Sequence, residues 1–144
     1  MKIIYFLILS TMLYSCSENY EQHYKEFSDF NNANLRLKSW FPNLISTDCY
    51  DLKEIHNMET NSSFGQFSYK FNNRIDLLLS DNNLYKKMPF DSLTKFLAGI
   101  TKPKKPNWFP DETQMKGNVS YKKESMFLIK VDRDKKIYFI YSTE

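Results

Sequence analysis

The residues able to do chemistry in this 144-residue chain are few: two cysteines, two histidines and seventeen acids. Cys16 closes the run Leu13-Tyr14-Ser15-Cys16, an aliphatic residue, a tolerant position, a small residue and a cysteine. That is the layout of a bacterial lipobox, so the expected chemistry of Cys16 is lipidation at a new N-terminus. Cys49 is then alone, with no intramolecular disulfide open to it; without lipidation, Cys16 and Cys49 would be free to bridge. Cys49 and His56 would make a thiolate–imidazole pair only if they met within hydrogen-bond reach beside a third, orienting group. A metal site needs three or four converging ligands, and the chain has no CxxC and no HExxH. Acid pairs such as Asp48 with Asp51, Glu54 with Glu59, or Asp111 with Glu112 stand in no distinctive setting. There is no GxSxG, P-loop or GxGxxG, and three glycines do not build a phosphate cradle. The expectation is a protein that is not an enzyme, with no catalytic residue, cofactor or metal.

Two aromatic elements are the better functional candidates: Trp40-Phe41-Pro42 and Trp108-Phe109-Pro110. In each, proline fixes its own φ and pushes the preceding aromatic out of the α region. Either both tryptophans plug the ends of one core, or Trp40, Trp108 and Phe109 form a rim where a peptide, glycan or protein docks, since tryptophan and tyrosine dominate interface energetics.

The N-terminus reads as an export signal: Lys2, then apolar residues from Ile3 to Leu13, then the lipobox. The apolar run is short of the roughly 20 residues that span a bilayer. The expected organisation is a signal-peptide helix over 1–15, lipidated Cys16 with a polar tether to 22, and one domain over 23–144. The chain is 42% hydrophobic and 17% aromatic, enough for a core rich in phenylalanine and tyrosine. A net charge of +3 falls to +2 when Lys2 leaves with the signal, too balanced to point to nucleic acid. The paired lysines read as solvated surface, or as a weak basic face for anionic headgroups or an acidic partner.

Tyr20, Tyr24, Phe27 and Phe30 recur at helical spacing and predict a helix over 20–31. Residues 50–57 and 64–71 read as a hairpin, with Phe67, Tyr69 and Phe71 on a buried face and Gln66, Ser68 and Lys70 turned away. Residues 74–80 and 92–98 predict helices, capped by Asn73 and Asp91, with Gly99 closing the second. Three prolines in 101–110 demand an extended loop, pinned by Trp108 and Phe109. Strands are expected around Val119–Tyr121, Met126–Val131 and Ile137–Tyr141, the last two joined by a turn at Asp132–Lys135. The class is α+β: an antiparallel sheet of about five strands with two or three short helices on one face.

The stretch from Trp40-Phe41-Pro42 through Leu52 to His56-Asn57-Met58-Glu59-Thr60-Asn61, followed by the aromatic strand Phe64–Phe71, resembles small bacterial lipoproteins of the YbbD-head-like family. Pro106-Asn107-Trp108-Phe109-Pro110 and the closing Tyr138-Phe139-Ile140-Tyr141 resemble later elements of the same proteins. The chain departs from them at Ser46-Thr47-Asp48-Cys49, where they carry Pro-x-Ser-Ala. The resemblance implies a fold and an address but no catalytic residue. It implies a lipid-anchored envelope protein, a non-enzymatic binding or structural module, whose partners are the membrane through acylated Cys16 and another protein. Nucleic acid and small-molecule cofactors are not expected. Because such genes lie among surface and interbacterial-competition genes, the alternative is an immunity-type inhibitor that neutralises a toxin. Ser17 is not the aspartate that favours inner-membrane retention in enteric bacteria, which points to the periplasmic face of the outer membrane.

Overall fold

A computed structural model describes residues 18–34 and 39–143 of the chain. Cys16 and the whole signal segment lie outside the described residues. The elements run β1 (Asn19–Glu26), α1 (Phe27–Asn32), β2 (Cys49–Asn57), β3 (Ser62–Tyr69), α2 (Asn72–Ser80), β4 (Lys86–Met88), α3 (Phe90–Gly99), α4 (Glu112–Met115), β5 (Val119–Lys123), β6 (Met126–Val131) and β7 (Lys136–Ser142). The strands form one antiparallel sheet in the order β1-β2-β3-β7-β6-β5-β4. The α+β class holds; among the described residues there are seven strands rather than about five and four helices rather than two or three.

The two additional strands are its edges. β1 replaces the helix expected over 20–31, and it begins inside the segment read as a tether. Its inward residue is not apolar: Gln22 is buried and donates from Nε2 to Glu54 Oε2 at 3.0 Å. The helical spacing of the four aromatics straddles two elements, since Tyr20 and Tyr24 belong to β1 while Phe27 and Phe30 belong to α1. β4 is three residues long and carries Lys86 and Lys87, a short charged edge of the kind that discourages strand addition.

Both faces of the sheet carry a core, which corrects the expected one-sided packing. One core gathers Phe30 of α1, Phe41 and Leu44, Ile75 and Leu79 of α2, and the inward residues Phe67, Tyr69, Leu128, Ile137 and Phe139. The other gathers Leu93 of α3, Phe109, Met115 of α4, and Ile55, Phe64, Phe127, Ile129 and Ile140 from the strands. β3 is therefore buried on both sides: Gln66 and Ser68 point away from Phe67 and Tyr69 yet are themselves buried. Phe71 is 69% exposed, because the chain has left the sheet there to start α2. α2 is tied down by Lys130, which pairs with Asp76 and, at 2.5 Å, with Asp132. Burial disfavours the Lys130 charge, but these two carboxylates hold its pKa above the ordinary lysine range.

The helices start slightly earlier than expected. α2 and α3 take Phe71 and Pro89 as N-caps, not Asn73 and Asp91, and neither cap makes a side-chain bond. α4 was not legible, though Asp111 caps it fully: its carboxylate accepts from Gln114 N while Gln114 Oε1 accepts from Asp111 N.

Candidate binding site

The sheet places the two tryptophan elements on opposite faces. Trp40 enters beside the core of Phe41 and Leu44, whereas Trp108 packs against the core of Phe109 and Met115. Trp40, Trp108 and Phe109 therefore do not form one rim, and the two tryptophans do not close one core.

On the Trp40 face lies a set of residues that sequence reasoning did not assemble. β2 carries a bulge between Tyr50 and Lys53, with Asp51 at φ 50°. One extra residue reverses which side chains face inward. Cys49 and Leu52 then share a face, and Glu54 and His56 follow on it, while Ile55 turns to the other core. His56 Nδ1 lies 2.9 and 3.0 Å from the two carboxylate oxygens of Glu54. Glu54 also accepts from Gln22, which accepts from the Tyr24 hydroxyl at 2.7 Å. Burial pushes the Glu54 carboxyl above its ordinary value, and the bonds from His56 and Gln22 only partly offset this. Trp40 covers the pair: its indole stacks on the His56 ring at 4.3 Å and 8°, and meets Tyr141 edge-on at 5.8 Å. Tyr20 approaches His56 at 5.4 Å.

Ser63 stands opposite His56 across the β2–β3 ladder. Serine, histidine and glutamate are the residue types of a hydrolytic triad, and Glu54 occupies the orienting place on Nδ1. The nucleophilic link is missing, however. The Ser63 hydroxyl is fully buried and has no hydrogen-bond partner among the described residues.

The other candidates are brought apart. Cys49 and His56 lie on one strand seven residues apart, about 20 Å at strand rise, so they do not pair. Burial pushes the Cys49 thiol up despite hydrogen bonds from Ser46, the opposite of an activated thiolate. Asp51 is engaged by His23 at 2.9 Å and Lys53 at 3.3 Å, and Glu59 by Lys102 at 2.7 Å. Among the described residues no cluster of three His, Cys, Asp or Glu side chains could hold a metal ion.

On the Trp108 face the chain leaves a concavity of about 500 Å³. Trp108, Phe109 and Tyr138 supply its aromatic part, with Phe109 edge-on to Tyr138 at 5.4 Å. Asn107, Gln114, Arg133 and Asp134 supply polar groups. Burial, and then the neighbouring Asp134 charge, push the Tyr138 phenol above its ordinary value. The loop that carries Trp108 is fastened to the β2–β3 turn, where Thr60 donates to the Lys102 carbonyl at 2.9 Å and Lys102 pairs with Glu18 and Glu59.

Residues 18–68 match the YbbD head domain. Over that stretch the chain is similar to the YbbD-head-like family. The matched stretch runs from β1 into β3 and so contains Gln22, Trp40, Glu54, His56 and Ser63. The Trp108 concavity is built from residues beyond it. No curated protein and no solved structure matches the chain.

Proposed function

We propose that this protein is a lipid-anchored, non-enzymatic binding module of the bacterial cell envelope. Acylated Cys16 is the anchor, and each lipid CH₂ buried in a bilayer contributes about 0.8 kcal/mol to retention. The observation that carries the binding reading is the contrast between the faces. The pair closest to chemistry, Glu54 and His56, is sealed beneath Trp40, while the open concavity beside Trp108 is lined by side chains suited to recognition. The outer membrane, with the domain on its periplasmic side, is the address that Ser17 favours.

Two experiments test this. Cys16→Ala should abolish incorporation of labelled palmitate and move the protein out of the membrane fraction; retained label or unchanged fractionation would refute the anchor. Affinity capture with the intact acylated protein should recover an envelope component. Capture of a toxin at one-to-one stoichiometry, with the toxin silenced, would make the protein an immunity-type inhibitor instead.

A further inference from the structure

We infer that the Trp108 concavity is a binding site for a neutral oligosaccharide, an assignment that rests on the binding-module reading above. Its volume of about 500 Å³ falls in the range of small-ligand sites. Its aromatic wall offers the half-buried indole of Trp108 and the phenol of Tyr138. A pyranose ring presents one face of C–H groups, which an indole covers at little polar cost, and an edge of hydroxyls that each donate and accept.

The polar groups around the wall match that edge because they are only partly committed. Gln114 spends Oε1 on the Asp111 backbone N–H at 3.0 Å, leaving its amide N–H groups to donate. Asn118 spends its Nδ2 on the Gln114 and Met115 carbonyls, leaving its own carbonyl oxygen to accept. Arg133 and Asp134 have no ion-pair partner among the described residues. The concavity therefore offers both unmatched donors and unmatched acceptors.

Charge and polarity narrow the ligand class. The lining holds one cation, Arg133, and one anion, Asp134, so it does not select a charged ligand. A wholly apolar ligand would desolvate these groups without replacing their hydrogen bonds, which is costly. A sugar answers both the aromatic wall and the mixed polar edge.

The test is a tryptophan fluorescence titration of the full-length acylated protein, in a detergent without a sugar headgroup, with chitohexaose and cellohexaose in separate arms. The expected result is a saturable change in emission with at least one of the two. Trp108→Ala, followed by isothermal titration calorimetry because its remaining tryptophan, Trp40, lies on the opposite face, should weaken binding at least about tenfold, equivalent to about 1.4 kcal/mol. Asp134→Ala and Arg133→Ala, on the exposed rim, should each weaken it severalfold with an unchanged circular dichroism spectrum. Trp40→Phe should retain wild-type affinity. No saturable change with either sugar, or wild-type affinity in both rim variants, would overturn the assignment. Saturation by an uncharged hexapeptide and not by sugar would make this a peptide groove and overturn it equally. A negative titration alongside a positive affinity capture defeats the saccharide assignment alone; failure of both defeats the binding-module reading as well.

Discussion

Trp40-Phe41-Pro42 and Trp108-Phe109-Pro110 are the same three residues in the same order, placed on the two faces of one sheet. In both, the central phenylalanine is a core residue and the proline is buried. The tryptophans differ in what lies beneath them. Trp40 lies flat on a histidine already bound to a buried carboxylate, so its ring closes a polar pocket. Trp108 meets no such partner, and its ring borders open space shared with Tyr138 and Arg133. The lesson is that a Trp-Phe-Pro element specifies how the chain enters the core. Whether the tryptophan seals or recognises is decided by strands distant in sequence.

The comparison can be broken most severely at Gly65, on the Trp40 face. A Cβ there would sit 1.9 Å from the tip of the Phe139 ring, which is itself fully buried. Gly65→Ala should cost about 3 kcal/mol, read as a lowered urea midpoint; an unchanged midpoint would mean the ring has room to move. Next is the carboxylate beneath Trp40. Glu54→Ala should cost about 3 kcal/mol by stripping His56 and Gln22 of their shared partner, and Glu54→Gln should cost less because the amide still bonds both.

The Glu54 pKa also gives a sign. A carboxyl whose folded value is raised contributes stability that is full below its ordinary range and is lost as pH rises through the raised value. Wild type minus Glu54→Gln stability should therefore decline with rising pH across that window; a difference that grows would contradict the burial argument. The smallest effect belongs to Ser63. Its hydroxyl is buried without a partner, so Ser63→Ala should leave stability unchanged or raise it by up to about 1 kcal/mol. A clear loss would reveal a hydrogen bond to His56 that the geometry lacks.

Much of the sheet was legible from sequence because its middle strands are aromatic and β-branched. The β2–β3 hairpin and the β6–β7 turn at Asp132–Lys135 stand where alternation and turn residues put them. The edges were not legible, for identifiable reasons. β1 turns Gln22 inward to reach Glu54, 32 residues away, and no local pattern encodes such a bond. β4 has three residues and no period at all. The two-sided burial of β3 hides in Gln66 and Ser68, which look like solvent-facing residues until Gln66 is seen donating to Asp51 at 3.1 Å. The Glu54–His56 site was missed because the bulge at Asp51 sets its face, and a bulge shifts register without a hydrophobic signature. The one available clue was Asp51 itself, a residue type that tolerates a positive φ better than most. Trp108 and Phe109 were legible as candidates by residue type, whereas Arg133 and Asp134 read only as turn residues.

The most direct test of the division between the faces is the urea-unfolding free energy of Trp40→Ala set beside that of Trp108→Ala. Removing Trp40 uncovers His56 and Glu54 and should cost about 3 kcal/mol. Removing Trp108 takes a half-buried ring off the second core but leaves no buried charge uncovered, and should cost less, about 1.5 kcal/mol. Equal losses, or a larger loss at Trp108, would contradict the account that Trp40 seals and Trp108 recognises.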